Sequence, residues 1–358
     1  MSRLLIACAC AFALVGTAVA QAPAQRPDPR SIKLRGNRFK PLTYDAMTPA
    51  QKAMVEHLIA GPRGGVNGPF NVLLRSPEIG DLVQQLGNSI RFASGLTPAQ
   101  RELATLAAGR AWTSRYEWYA HARYAADAGI PAAVIDAIAA GRAPDLALLS
   151  KDEALTWRVA EELMFTRRVS DATYRDALAA LGEQRLAAAA TLAAYYELVS
   201  MILNVDRYPL PSNAPPGSAN ALASLPQSAL YRMPSGVLDH APLPQTDYDR
   251  AIDSLLGRLH TDAELPNDVR SAVSRAVLYQ WNRVQPNAAQ LMSEAAGVAS
   301  RFASELLATR GVSDEIFAAA RDAFGERRLV NMIVLIGVSN LHCSKLALAG
   351  YGCSLDDR

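Results

Sequence analysis

Cysteine is scarce: four in 358 residues, with no C-x-x-C pair. That excludes a zinc knuckle and a C-x-x-C dithiol centre. Cys8 and Cys10 fall in an N-terminal leader, leaving Cys343 and Cys353. These two can join as one disulfide in an oxidising compartment or stay as partly buried thiols. Aromatics are only 7% of the chain, and runs of β-branched residues are few, which argues against a β-rich fold. Charge of one sign is also lacking. The 36 basic and 34 acidic residues leave a net +2, with no footprint for nucleic acid. Past residue 20, no segment reads as long and apolar enough to cross a membrane.

Alanine is what the chain has in excess, 65 residues, a composition suited to close-packed helices. Residues 1–20 have the layout of a signal peptide: Arg3, an apolar stretch from Leu4 to Val19, and the small-residue site Ala18-Val19-Ala20. The expectation is a secreted or periplasmic mature chain beginning at Gln21. Residues 21–44, polar and Pro/Arg-rich, read as a flexible leader.

Thr48-Pro49-Ala50-Gln51 and Thr97-Pro98-Ala99-Gln100 each open a helix with an N-cap Thr, Pro at the first position and Gln at the third. Helical patterning continues over about 77–93, 98–111, 114–128, 131–140, 151–167, 171–180 and 183–203. Residues 208–245 carry eight prolines and read as a linker between a first domain, 45–207, and a second, 246–358. The Gly61–Gly68 loop follows no strand and lacks the Lys-Ser/Thr ending of a phosphate cradle.

The halves repeat. Val169-Ser170-Asp171 returns as Val312-Ser313-Asp314, and Gly182-Glu183-Gln184-Arg185-Leu186 as Gly325-Glu326-Arg327-Arg328-Leu329, both offset by 143. Arg101, Ala107 and Trp112 match Arg270, Ala276 and Trp281 at an offset of 169. The difference, 26 residues, is missing from the second half between Trp112 and Arg158, and Ser271 stands where Glu102 would align. The expected fold is all-α: two related helical domains, the second degenerate and without a complete site.

The chemistry-bearing candidates lie in the first half. Ser114, Glu117 and His121 fall at i, i+3 and i+7, one face of a helix, with Glu102 on the helix before. A carboxylate beside an imidazole is the minimum acid–base pair near neutral pH. The competing reading is local: Ser114-x-x-Glu117 is also a capping box, and Glu117/His121 an ordinary i, i+4 pair.

The stretch Ala111-Trp112-Thr113-Ser114-Arg115-Tyr116-Glu117-Trp118-Tyr119-Ala120-His121 resembles the carboxymuconolactone decarboxylase-like family, which includes the alkyl hydroperoxidase D (AhpD-like) proteins. The Leu74-Arg75-Ser76-Pro77-Glu78 turn and Arg101-Glu102-Leu103 resemble it too, and Gly68-Pro69-Phe70 looks like its substrate-side loop. The resemblance covers about 45–205 well and 246–350 weakly. It implies that the two repeated domains are all-α and AhpD-like, in a family that assembles as trimers or higher homo-oligomers. The peroxidase branch uses E-x11-C-x2-C-x3-H; Glu102, Ser114, Glu117 and His121 occupy those positions. Without the thiols a dithiol mechanism is excluded there. What the resemblance then implies is the cysteine-free branch: a lyase needing no cofactor or metal, acting on a small carboxylated or lactone substrate. In that reading His121 is the general acid/base, Glu117 orients it and Glu102 relays protons. Arg110 is the candidate cation for an anionic substrate, and Trp112, Tyr116 and Trp118 are candidate pocket walls. Tyr195, Tyr196 and Glu197 lie on a late helix within reach of such a pocket. The alternatives are a non-catalytic binding or assembly module of the same fold, and a peroxidase using Cys343 and Cys353. His57, His240 and His260 read as surface or packing residues, since none has an acidic or Cys partner at ligand spacing.

Overall fold

The computed structural model describes residues 26–225, 240, 243–282 and 293–355. The expected signal peptide and parts of the expected linker lie outside the described residues. Among the described residues the chain is all-α, with twelve helices and no strand.

The helices are α1 (Pro49–Ala60), α2 (Phe70–Leu73), α3 (Pro77–Phe92), α4 (Pro98–Ala111), α5 (Arg115–Asp127), α6 (Ala132–Ala139), α7 (Lys151–Thr166) and α8 (Asp171–Asp206). After a stretch that includes one short 3-10 turn come α9 (Asp247–His260), α10 (Asn267–Asn282), α11 (Glu294–Thr309) and α12 (Asp314–Leu348). Both Thr-Pro-Ala-Gln tetrapeptides form full capping boxes, at Thr48 and Thr97. Each satisfies two backbone donors that a helix start otherwise leaves bare.

Helices α8 and α12 lie along each other at the centre of the molecule. At Gly337 the backbone of α12 comes so close to Leu198 of α8 that a Cβ would have no room. The apolar core runs without interruption from the first half into the second. The 143-residue offset of the sequence recurs in the backbone. α7 and α11 end on left-handed arginines, Arg167 (φ 60°) and Arg310 (φ 64°). Ser170 and Ser313 then cap α8 and α12, each amide donating to a glutamate, Glu162 or Glu305.

Three expectations need correction. Residues 35–40 are not a loose leader: the amides of Asn37 and Phe39 donate to the buried Asp206 carboxylate, and Phe39 is fully buried. The Pro-rich stretch is partly docked as well, because Ala223 exchanges backbone and side-chain hydrogen bonds with Ala139 and Arg110. And α8 and α12 are each long and apolar enough, by length and composition, to cross a membrane, but their apolar windows are 100% and 89% buried in the protein. Those windows are core segments, apolar because neighbouring helices cover them.

Candidate active site

The site is built on α4 and α5. The tight link between them places Thr113 at φ 46° and lets the Ser114 amide donate to the Gly109 carbonyl. Gly109 has no side chain to hold the helices apart; a Cβ there would already touch the Cβ of Glu117. Glu102 on α4 and His121 on α5 thereby meet. His121 Nδ1 lies 2.5 Å from Glu102 Oε2, and its Nε2 lies 3.1 Å from Glu117 Oε2. All three side chains are buried, with 3–7% of each residue exposed.

The capping box that competes for Ser114 and Glu117 is not formed. Ser114 makes no side-chain cap bond, and Glu117 turns to His121. Glu102 is held in turn: its Oε1 accepts from Arg91 Nη2 at 2.7 Å, and Arg91 Nη1 donates to the Tyr196 hydroxyl at 2.5 Å.

Burial works against a charged imidazole at His121. The charge of Glu117 and the hydrogen bonds of both carboxylates outweigh it, and the pKa is raised. Burial likewise opposes ionisation of Glu102, but the bond and charge of His121, with Arg91, hold it below its usual value. Burial in the same wall, against the opposing pull of Arg91 and Arg63, raises the Tyr196 hydroxyl. The two shifts act together: each favours a His121 imidazolium paired with a Glu102 carboxylate.

A cavity of about 270 Å³ opens beside this triad. Glu117 and His121 line it and Glu102 does not, so Glu102 braces the imidazole from behind. Arg63, Arg91, Tyr195, Tyr196 and the Gly65–Phe70 stretch complete the wall, with Phe92 and Tyr124 partly exposed at the opening.

Residues 77–159 match the Carboxymuconolactone decarboxylase family. The match runs from the start of α3 into α7 and contains Arg91, Glu102, Glu117 and His121. It leaves out Arg63, Tyr195 and Tyr196, which the rest of the first half contributes to the cavity. No curated protein matches the chain.

Of Arg110, Trp112, Tyr116 and Trp118, only Tyr116 lines the His121 cavity. Trp112 turns away, its Nε1 donating to Glu197 at 3.0 Å, and Trp118 is buried in the core. Glu197 does not reach the cavity either; it grips Arg167 with both oxygens, at 2.6 and 3.0 Å. Arg110 is spent on two carbonyls, those of Ile138 and Ala223. Burial, then the charge of Arg310, pulls its pKa down to about 10. Two cations line the cavity in its place: Arg91, bonded to Glu102 and Tyr196, and Arg63, whose Nε donates to Asn88 Oδ1. The sequence holds one signal for Arg63, the Gly-rich loop around it, which follows no strand and carries no phosphate motif.

His57 and His240 do have acidic partners, at long sequence range: His57 Nδ1 sits 3.0 Å from Asp81, and His240 Nε2 3.0 Å from Asp171. Cys343 and Cys353 form a disulfide at the end of α12, and neither lines the His121 cavity. Among the described residues, no group of three or more His, Cys, Asp or Glu is placed to hold a metal ion. In the second half Ser271, aligned with Glu102, is exposed on α10, and α10 leads to α11 with no counterpart of α5 or α6 among the described residues.

Proposed function

We propose that this protein is an exported enzyme of the carboxymuconolactone decarboxylase-like kind, a lyase that acts on a small carboxylated or lactone substrate by acid–base chemistry. The observation that carries the reading is the buried His121 held between Glu102 and Glu117 with an open cavity on one side. A buried imidazole clamped by two carboxylates has little structural use at a cavity wall, whereas perturbed titratable groups in a cleft are what proton transfer needs.

Glu117 and His121 form the proton-moving pair that touches substrate. Glu117 Oε2, 3.1 Å from His121 Nε2 on the cavity wall, is placed to pass a proton between the imidazole and the cavity. Glu102 is a positioning residue, and Arg63 pairs with the substrate carboxylate or with the oxygen that becomes an enolate. In a decarboxylation the carbon–carboxyl bond breaks and CO2 leaves. The electron pair stays on the substrate as an enolate, and the imidazolium of His121 delivers the proton to carbon, to be refilled from solvent through Glu117. A dithiol peroxidase cycle has no thiol at this cavity: Ser114 and Glu117 occupy the family's cysteine positions.

The second half works as a scaffold rather than a second site. Residues 1–20 direct export, and copies of the chain assemble through surfaces that include Phe92 and Tyr124, both partly exposed at the cavity opening. The test is a panel of carboxylated lactones incubated with the mature chain in D2O and followed by NMR. Deuterium at the carbon that loses or neighbours the carboxylate supports the reading. A panel with neither exchange nor turnover, together with tight binding of any member, favours the non-catalytic module.

A further inference from the structure

A second cavity, of about 500 Å³, lies on the other side of Tyr116, which lines both. Its walls are the start of α5, the end of α8 with the turn that follows, and Arg310–Gly311. Three arginines line it, Arg115, Arg207 and Arg310, and no aspartate or glutamate does. Arg207 is paired with Asp314 at 3.0 Å, a carboxylate it shares with Arg38 at 2.6 Å. Arg115 is exposed and pairs with no carboxylate among the described residues. Arg35 adds a further charge beside this wall, stacked 5.2 Å from the Tyr116 ring and 5.3 Å from that of Tyr208.

The N-terminus of α5, thirteen residues long, begins in this wall. The first amide of the helix with an acceptor is that of Trp118, which donates to the Ser114 carbonyl. The amides of Arg115, Tyr116 and Glu117 have none among the described residues. An uncapped helix start is an anion site in waiting, with donors and the positive end of the dipole aimed outward. The side chain that should have capped it points to the same conclusion. Ser114 is fully buried, makes no cap bond, and its hydroxyl has no hydrogen-bond partner among the described residues. A buried hydroxyl left unpaired is costly, and a native fold keeps one where something else completes it.

We propose that this cavity is a binding site for a tetrahedral oxyanion, inorganic phosphate or the phosphate group of a small ester, seated on the N-terminus of α5 and ringed by Arg115, Arg207 and Arg310. Guanidinium forks match phosphate oxygens two at a time, and a dianion answers several cations better than a single carboxylate does. The site is separate from the His121 cavity and does not depend on what reaction occurs there. Its occupant would sit at the start of the helix that carries Glu117 and His121.

The experiment is isothermal titration calorimetry on the mature chain, with inorganic phosphate, glycerol phosphate, sulfate and chloride as separate titrants at matched ionic strength. Saturable one-site binding of phosphate or of the ester, half-saturated at or below ~1 mM, is expected, with chloride silent; the tighter of the two identifies the source. R115Q alters an exposed side chain, and its melting temperature should match the wild type. Its affinity should fall about tenfold, the loss of one charge-assisted contact. S114A should weaken binding several-fold. Absence of saturable binding for both phosphate titrants, equal binding of chloride, or unchanged affinity in both variants overturns the proposal.

Discussion

Gly182 and Gly325 stand 143 residues apart with the same backbone, φ 72° and ψ 169° at one, φ 68° and ψ 171° at the other. Each breaks a long helix one-third of the way along, at a conformation essentially closed to residues with a Cβ. Apart from its chain neighbours and its own helix backbone, neither has an atom within 4 Å of where a Cβ would sit, so tertiary packing plays no part. G182A and G325A should each cost ~1–3 kcal/mol of stability through the backbone alone, read as a lower urea midpoint. A neutral or stabilising change at either position would mean that the kink is not set by the glycine.

Glu197 should be the most sensitive carboxylate in the core. It is fully buried, bonds both terminal nitrogens of Arg167 and accepts the indole N–H of Trp112. At the displaced positions Trp281 donates instead to Asn340, a neutral side chain. E197Q removes the charge but keeps the shape, leaving the Arg167 guanidinium without its carboxylate, at a cost of ~3–5 kcal/mol. Denaturant unfolding tests this. A loss under ~1 kcal/mol would place the pair with ordinary surface bridges.

The clamp on His121 should make stability depend on pH with a definite sign. The folded-state pKa of His121 is raised, so its contribution is complete below the unfolded value of about 6.5 and is lost as pH rises through the folded one. Glu102 is shifted the other way; its contribution is complete above about 4.3 and is lost as pH falls through its folded pKa. The difference in melting temperature between wild type and H121Q should therefore be largest between about pH 4.5 and 6.5 and shrink toward alkaline pH. A difference that grows from neutral to alkaline pH would contradict the charged clamp.

Much of the fold was legible because its signals are local. The Thr-Pro-Ala-Gln caps fall at the observed starts of α1 and α4, and the sequence reading breaks α8 at Gly182, where the backbone turns. Glu102, Glu117 and His121 could be grouped from helix periodicity and family resemblance. Arg63 and Arg91 could not, since their roles arise from the way α3 and the Gly-rich loop fold back on α4 and α8. Arg110 and Trp112 were misassigned for a related reason. On a helix buried on every side, periodicity says that a residue is covered and not by what. Both face packed neighbours instead of the cavity.

The most direct test of the account is the turnover of a carboxylated lactone by H121Q. Gln keeps a hydrogen-bonding side chain of similar reach and removes the titrating group. The account predicts a fall in kcat of ~100-fold or more with little change in KM, the usual worth of a positioned acid–base group. A melting temperature near that of the wild type at pH 8 and above would show that the fold survives. Full activity in H121Q would contradict the catalytic assignment.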